Sequence, residues 1–282
     1  RWHKRLELPE ILRQNLAELS RVARPPNSGN RGNEKKHPTR DKPQLFPDIG
    51  SRDVSAYLSE VLPGLTAKVF RTHHATEIVR SSLKASDVKA SDPEYEKRKA
   101  ATLANLQAAI LCNHTKNAPS NWAARREKLK ERPRKAEERV QRYRLQVKEH
   151  TEALAALRQE AREKKVRASG ARRKRLEASY QKKIEQAKRR IETAKARLQK
   201  TKDARNKFKA QTIIATQTRT WNLSTSLKSY IDPRVYYQWG QQVEYDVLER
   251  FYPKKLRQKF AWVKERSQDT VDGLESKKKE LP

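Results

Sequence analysis

The sequence predicts a mostly α-helical protein in which an antiparallel coiled-coil hairpin interrupts a helical domain. In two long segments, apolar side chains recur at alternating spacings of three and four residues, which is the period of packed helices. Prolines stand at the start of several shorter helical patterns. The alternation typical of strands is slight outside residues 1–8. Together these observations favour helices throughout.

The two periodic segments form the arms of the predicted hairpin, each roughly 50–60 Å long at 1.5 Å per residue. Residues 167–171 separate the arms and include a glycine suited to the C′ position of a helix. Pro133 predicts a helix start or a kink near the hairpin base. The predicted seam consists of Val140, Tyr143, Val147, His150, Leu154, Leu157 and Ala161 on the first arm, and of Tyr180, Ile184, Ala187, Ile191, Ala194, Leu198, Thr201, Arg205 and Phe208 on the second.

The net charge of +32 is concentrated in this hairpin. Residues 122–210 carry +20, whereas residues 1–121 carry +8 and residues 211–282 carry +4. Any single Lys or Arg is consistent with an ordinary solvated face, but the sum favours a polyanionic partner. Nucleic acid is the leading candidate, through phosphate contacts and counterion release. Composition does not separate DNA from RNA.

Composition also excludes several classes of protein. No apolar run approaches the roughly 18–20 residues of a membrane span, and no signal-peptide pattern opens the chain. Cys112 is the single cysteine, which excludes an internal disulfide framework, and no Cys/His spacing suggests a zinc site. Methionine is absent, even at position 1, so we expect an internal part of a longer protein.

The flanks of the hairpin predict shorter helices and one loop. Residues 21–50 are rich in Pro and Gly and predict a loop. Asp92 precedes Pro93 and predicts an N-cap for the helix that follows. Helices are predicted at residues 9–20, 52–62, 72–84, 93–113, 232–241 and 253–266.

Three segments contain the candidate catalytic residues, which are Arg71 in residues 67–76 (AKVFRTHHAT), His114 in residues 108–114 (AAILCNH) and Tyr230 in residues 224–234 (STSLKSYIDPR). Each residue alone is a weak signal, but together they suit metal-free phosphoryl transfer. Arg can hold two phosphate oxygens, His can donate a hydrogen bond to developing negative charge, and Tyr can attack phosphorus.

With these three segments in this order, the chain resembles the catalytic region of type IB DNA topoisomerases. The resemblance rests on GLTAKVFRT at 64–72, AILCNH at 109–114, SYIDPR at 229–234 and QKFAWV at 258–263, with a coiled-coil insertion between the second and third. It implies a helical catalytic domain of the tyrosine-recombinase and topoisomerase IB type. Residues 1–121 would be the C-terminal part of the catalytic core, 122–210 a basic coiled-coil linker, and 211–282 a C-terminal domain with the nucleophile.

The resemblance implies a reaction as well. Tyr230 would cleave one strand of duplex DNA through a 3′-phosphotyrosyl intermediate, while Arg71 and His114 stabilise the transition state. Rotation and religation would then relax supercoils without ATP, metal or other cofactor. The expected partners are duplex DNA and the N-terminal part of the same enzyme. The expected location is the nucleus in a eukaryote, or the chromosome in an archaeal cytoplasm.

The chain departs from the family pattern in several places. The family also uses an upstream Arg and Lys, and the resemblance begins just after that Lys, so we expect both to lie outside this chain. Lys4 and Lys228 do not stand in the family's motif, so neither is expected to replace the upstream Lys. Ser229 stands where the family usually has Asn before the nucleophile, which puts sensitivity to camptothecin-like poisons in question.

Two alternatives stay open. A non-catalytic DNA- or RNA-binding protein derived from this family would use the charge without the chemistry. A tyrosine recombinase would share the chemistry, although the hairpin between His114 and Tyr230 resembles the topoisomerase arrangement. The upstream sequence discriminates between enzyme and binder, because a Gly-Lys-Asp-Ser-like segment directly before Arg1 would favour the enzyme.

Overall fold

A computed structural model describes residues 7–23, 45–46 and 49–264. The chain divides into two compact units, residues 1–74 and 75–282, and each is considered by itself. In the described ranges the regular elements are all α-helices, accompanied by one isolated β-bridge. The mostly α fold class is therefore confirmed. No helix in these ranges is long and apolar enough to cross a membrane.

The first unit contains helix α1 (Glu10–Val22), helix α2 (Ser51–Val61) and the start of helix α3 (Ala67–Lys84). The predicted helices at 9–20 and 52–62 are confirmed, whereas most of the predicted 21–50 loop lies outside the described residues. Helix α3 begins before the predicted residue 72, because the preceding turn ends at Gly64, which takes a left-handed φ of +80°.

Among its described residues, the second unit builds a core from five helices packed with the rest of α3. These are α4 (Glu94–Leu111), α7 (Leu223–Ser229), α8 (Pro233–Gln242), α9 (Val247–Arg250) and α10 (Lys254–Lys259). The predicted helices at 93–113 and 232–241 are confirmed. The predicted helix at 253–266 is interrupted at Phe260, whose ring packs against Tyr252 with ring centroids 5.4 Å apart.

Small residues on α4 let the other helices approach it closely. The face of α4 that enters the core consists of Ala100, Ala101, Ala104 and Ala108. Tyr236 on α8 is fully buried there, and its hydroxyl donates to the Ala101 carbonyl at 3.0 Å. A buried tyrosine hydroxyl needs such an acceptor, so this bond fixes how α8 lies on α4.

Helices α5 (Trp122–Val166) and α6 (Gly170–Gln217) form the hairpin. Their side chains pair in antiparallel register: Lys165 with Glu177 at 2.6 Å, Tyr180 with Glu160 at 2.9 Å, and Arg205 with Glu137 at 3.0 Å. All sixteen predicted seam positions are buried or half-buried. The two helices therefore run antiparallel along the predicted face, and their coiled-coil supercoiling stays a prediction.

Pro133 does not begin a helix but lies inside α5, and the alternative of a kink stays a prediction. Proline has no N–H, so it cannot donate to the carbonyl of Leu129 one turn earlier. Thr212 on α6 supplies a donor instead, because its Oγ1 lies 3.0 Å from that carbonyl oxygen and 2.9 Å from the carbonyl oxygen of Phe208. The second helix thus compensates for the hydrogen bond that the first one lacks.

Two predicted caps also differ from the structure. Gly170 has a left-handed φ of +56°, but it is the first residue of α6, while Arg167 is the C-cap of α5. Pro93 takes the N-cap position of α4 in place of Asp92. The Asp92 carboxylate instead accepts the backbone N–H of Lys89 at 2.9 Å, closing the preceding turn.

Candidate active site

A C-terminal helix cap places His114. Helix α4 is followed by Asn113, which takes a left-handed φ of +54°. The N–H of Asn113 donates to the Ile110 carbonyl at 3.0 Å, and the N–H of His114 donates to the Ala109 carbonyl at 2.9 Å. This pair of bonds is a Schellman motif, for which Asn is a suitable residue at C′. His114 is thus fixed at the point where the chain leaves α4.

The segment that follows α6 returns to His114. The N–H of Asn222 donates to the His114 carbonyl at 2.6 Å, and the N–H of Lys116 donates to the Thr220 carbonyl at 2.9 Å. The guanidinium of Arg219 also lies 5.9 Å from the ring centroid of Trp122. The two ends of the hairpin are therefore held side by side, which brings sequence-distant motifs together.

Tyr230 follows α7, the short helix that begins directly after this pairing. Its N–H donates to the Ser226 carbonyl at 3.0 Å, and its side chain is half-buried against the core. The rings of Tyr230 and His114 lie 4.8 Å apart between centroids, with their planes tilted by 52°. A phosphate at the Tyr230 hydroxyl would therefore have an imidazole beside it.

The backbone after Tyr230 is anchored to α3 and α8. The N–H of Asp232 donates to the Thr76 hydroxyl at 3.1 Å, and the Asp232 carboxylate caps α8 by accepting the N–H of Arg234 at 2.9 Å. Burial alone raises the pKa of Asp232, but the hydrogen bonds from the side chain and backbone of Arg234 outweigh burial, so this pKa is lowered. The carboxylate therefore stays charged at neutral pH.

Of the three predicted site residues, the structure brings His114 and Tyr230 together. Arg71 is an exposed residue on α3 and belongs to the first unit. Lys228 is exposed on α7, and Lys4 lies outside the described residues. In the described part of the chain, no group of three or more His, Cys, Asp or Glu side chains is arranged to hold a metal ion.

Sequence reasoning missed two polar residues at this site. Ser226 is fully buried, and its Oγ lies 2.9 Å from Nδ1 of His114. Asn105 is 2% exposed, and its Nδ2 donates to the carbonyl of Leu223 at 3.1 Å. One sequence signal for Ser226 was its position one helical turn before Tyr230, where a side chain can share the surroundings of that residue.

Comparison with known proteins relates this arrangement to a family. Residues 32–147 match the family model for the catalytic core of eukaryotic DNA topoisomerase I, and residues 200–271 match that for the C-terminal topoisomerase domain. The two matches together span more than half of the chain. They contain Arg71 and His114 in the first region and Tyr230 in the second.

Individual relatives agree with these matches. Human "DNA topoisomerase I, mitochondrial" is 30% identical over 229 residues, covering 81% of this chain and 33% of the relative. DNA topoisomerase 1 alpha of Arabidopsis thaliana is 30% identical over 77% of this chain and 21% of its own length. DNA topoisomerase 1 of Drosophila melanogaster is 28% identical over 77% of this chain and 18% of its own length. The chain thus spans about a third or less of these relatives.

Proposed function

We propose, since the chain belongs to the eukaryotic DNA topoisomerase I family, that it forms the C-terminal catalytic part of a type IB enzyme that relaxes supercoiled DNA. The observation that carries this proposal is the approach of the His114 and Tyr230 rings to 4.8 Å. The long basic hairpin separates these two residues in sequence, and the paired hairpin ends return the chain to His114. The proposal assigns Tyr230 as the nucleophile.

The proposed cleavage is a transesterification. The Tyr230 oxygen attacks a backbone phosphorus and forms a P–O bond as its own proton is lost to solvent. The bond from phosphorus to the 5′-oxygen breaks, and that oxygen takes up a proton, which the family's Lys donates. The broken strand rotates, and the 5′-hydroxyl then attacks the 3′-phosphotyrosyl link in the reverse reaction. The phosphotyrosyl bond retains the energy of the cleaved phosphodiester bond, so no ATP is required.

Burial distinguishes Tyr230 from several other tyrosines. Tyr236, Tyr245 and Tyr252 are at most 5% exposed, so a DNA phosphate cannot reach them. Burial also raises the pKa of all three, and that of Tyr245 rises to about 12. These hydroxyls are therefore poor nucleophiles at neutral pH. Tyr230 remains partly accessible.

The other proposed roles follow from charge. His114 donates a hydrogen bond to a non-bridging phosphate oxygen, and the Arg71 guanidinium binds the same phosphate with its fork of N–H groups. The hairpin, residues 122–210 with their charge of +20, lies near phosphates of duplex DNA and restrains strand rotation. We propose residues 1–121 and 211–282 as the two catalytic segments on either side of this linker. The N-terminal part of the enzyme would complete the clamp around DNA.

The relatives named above are eukaryotic proteins, and this supports a nuclear or chromosomal location. The human relative is named as mitochondrial, which is a statement about that protein. Duplex DNA is the proposed substrate. Because phosphate contacts carry no base information, we expect binding to be largely independent of sequence.

Plasmid relaxation by the complete protein tests the proposal. We expect relaxation of supercoiled plasmid with EDTA present and ATP absent, and loss of relaxation in Tyr230→Phe. Tyr237→Phe is a matched control, since Tyr237 is also half-buried and packed against the same core. Normal relaxation by Tyr230→Phe would contradict the assignment of the nucleophile. DNA binding by the wild type without relaxation would favour the non-catalytic alternative.

A further inference from the structure

His114 holds the helix that carries the nucleophile at two points. At the start of α7, the His114 carbonyl accepts the N–H of Asn222 at 2.6 Å. Within the helix, the His114 ring contacts Ser226 through Nδ1 and Oγ, which are 2.9 Å apart. Ser226 in turn accepts the N–H of Tyr230 through its carbonyl at 3.0 Å. Ring position and nucleophile position are thus connected through one serine.

The surroundings of Ser226 leave little freedom to this contact. Its exposed fraction is 0%, and its neighbour Leu227 is 5% exposed within the core. A buried hydroxyl is costly to leave without a hydrogen bond, so the bond to the imidazole is retained. Because Nδ1 faces Ser226, Nε2 is the nitrogen that the ring offers to a phosphate oxygen.

A hydroxyl suits a histidine that must donate from Nε2 in either charge state. In the neutral ring with its proton on Nε2, Ser226 donates its hydroxyl proton to Nδ1. In the charged ring, where both nitrogens are protonated, the Ser226 hydroxyl rotates so that its oxygen accepts from Nδ1–H. A carboxylate could only accept, and would draw the single proton of the neutral ring to Nδ1, away from the phosphate.

We propose that Ser226 is a positioning residue that fixes the His114 ring with Nε2 as the hydrogen-bond donor to the scissile phosphate. The catalytic meaning of this inference rests on the proposed function, whereas the tautomer itself does not. Ser226 acts through His114 and does not touch the reacting atoms. It also ties the ring to the helix turn that ends at Tyr230, so that both groups face one phosphate together.

Histidine side-chain ¹⁵N NMR of the 282-residue chain tests the tautomer without any activity. At about pH 8.5, where an imidazole is ordinarily neutral, we expect the proton of His114 on Nε2 and an unprotonated Nδ1. A His114→Gln spectrum identifies the resonance among the six histidines. A wild-type ring with its proton on Nδ1 would overturn the proposal, and this measurement needs no variant of Ser226.

Substitutions of Ser226 supply the second test. In Ser226→Ala we expect the two ring nitrogens to shift toward each other as the tautomers mix, and Ser226→Thr to retain the wild-type pattern because it keeps the hydroxyl. Ser224→Ala is the matched control, since Ser224 is exposed on the same helix. An unchanged tautomer in folded Ser226→Ala would overturn the proposal. Circular dichroism checks that each variant is folded.

Single-turnover DNA cleavage by the complete protein gives the catalytic consequence. Loss of the partner that orients a metal-bound histidine costs roughly 10- to 100-fold, and we expect a decrease of the same order in Ser226→Ala, with recovery in Ser226→Thr and no change in Ser224→Ala. Wild-type cleavage by Ser226→Ala would refute the positioning role. Absence of cleavage by the wild type itself would instead refute the proposed function, while the NMR result would still decide the tautomer.

Discussion

At the scale of single residues, short-range backbone hydrogen bonds place the candidate catalytic groups. His114 is fixed by the cap of α4, and the Tyr230 N–H is bonded to the carbonyl of Ser226 one turn earlier. These bonds lie within segments of a few residues, which is why short motifs can mark the site. We therefore expect substitutions beside Tyr230 to change the position of its side chain.

Asp232 gives a prediction at this scale. Its carboxylate caps α8 and has a lowered pKa, so it stabilises the fold above its unfolded pKa, and this stability is lost as the pH falls. We expect Asp232→Asn to reduce the free energy of unfolding by about 1 kcal/mol at pH 7, because a neutral amide oxygen accepts more weakly from Arg234 than a carboxylate does. Below about pH 4 the difference from wild type should shrink, because the wild-type carboxyl becomes protonated.

Urea unfolding at pH 7 and at pH 3 measures this difference. Asp203→Asn is a control, since that exposed carboxylate accepts a hydrogen bond only from a side chain one turn earlier on α6. If Asp232→Asn destabilised the protein equally at both pH values, ionisation of Asp232 would not contribute to the stability of the fold, which would contradict the prediction.

The candidate site residues could be proposed from the sequence, but their contacts could not. Arg71, His114 and Tyr230 were found because they stand in motifs with their neighbours. Ser226 was visible only as part of such a motif, since nothing in a serine's identity shows that it is buried against a ring 112 residues away. Asn105 was missed for the same reason, because its partner Leu223 is distant in sequence.

At the scale of elements, helix length decided what could be predicted. The 45 and 48 residues of α5 and α6 repeat their apolar pattern many times, and every predicted seam position is at least half-buried. Helices α7 and α9 have seven and four residues, which is too short for a periodic signal. The predicted helix start at Pro133 is wrong, because the cost of a proline inside α5 is offset by Thr212 on the other helix.

A double-mutant cycle tests this compensation. Thr212→Val removes the donor to the Leu129 carbonyl, and we expect it to destabilise the protein by about 1 kcal/mol. In the Pro133→Ala background a backbone N–H can donate to that carbonyl along the helix, so Thr212→Val should cost less. Thermal unfolding followed by circular dichroism measures both costs.

Thr193 provides the control for this cycle. It lies on the same helix, is exposed, and its hydroxyl donates only to the carbonyl of Arg189 one turn earlier. Thr193→Val should therefore have the same effect with and without Pro133→Ala. If Thr212→Val also reduced stability equally in both backgrounds, the Leu129 carbonyl would not depend on Thr212 for a hydrogen bond.

At the scale of the whole molecule, the hairpin is an insertion whose ends meet. Pairing of Thr115 with Trp221 closes it at the base, so the parts of the second unit before and after the hairpin meet there. The sequence predicted the insertion and its charge, whereas the pairing at its base carried no recognisable pattern. An isolated bridge is too short to produce the alternation by which strands are detected.

Shortening the hairpin tests its electrostatic role. Removal of residues 146–195, with Leu145 joined to Ala196 through a Gly-Ser turn, keeps the Glu137–Arg205 pair and removes a net charge of +9. We expect weaker DNA binding and a flatter dependence of log Kd on log salt, by about 0.9 for each phosphate that the shortened protein no longer neutralises. The slope is measured by fluorescence anisotropy at salt concentrations between about 50 and 300 mM. Phosphate contacts weaken strongly over this range.

A charge-only variant separates charge from length. Arg172, Lys174 and Arg175 are exposed near the tip of the hairpin. Gln has a similar helix propensity, so we expect the helices to be kept when all three are changed to Gln. We expect this variant to show a smaller decrease of the same slope. A slope equal to wild type in the shortened protein would contradict a role of the distal hairpin in phosphate binding.

The most direct test of the proposed chemistry is to identify the residue that becomes covalently attached to DNA. The complete protein is incubated with a duplex whose cleaved strand ends a few nucleotides beyond the cut, so that religation is prevented, and the adduct is digested and analysed by mass spectrometry. We expect a 3′-phosphate linked to Tyr230. An adduct on another residue, a 5′-phosphate linkage, or no adduct from an otherwise folded, DNA-binding protein would contradict the assignment of Tyr230 as the nucleophile.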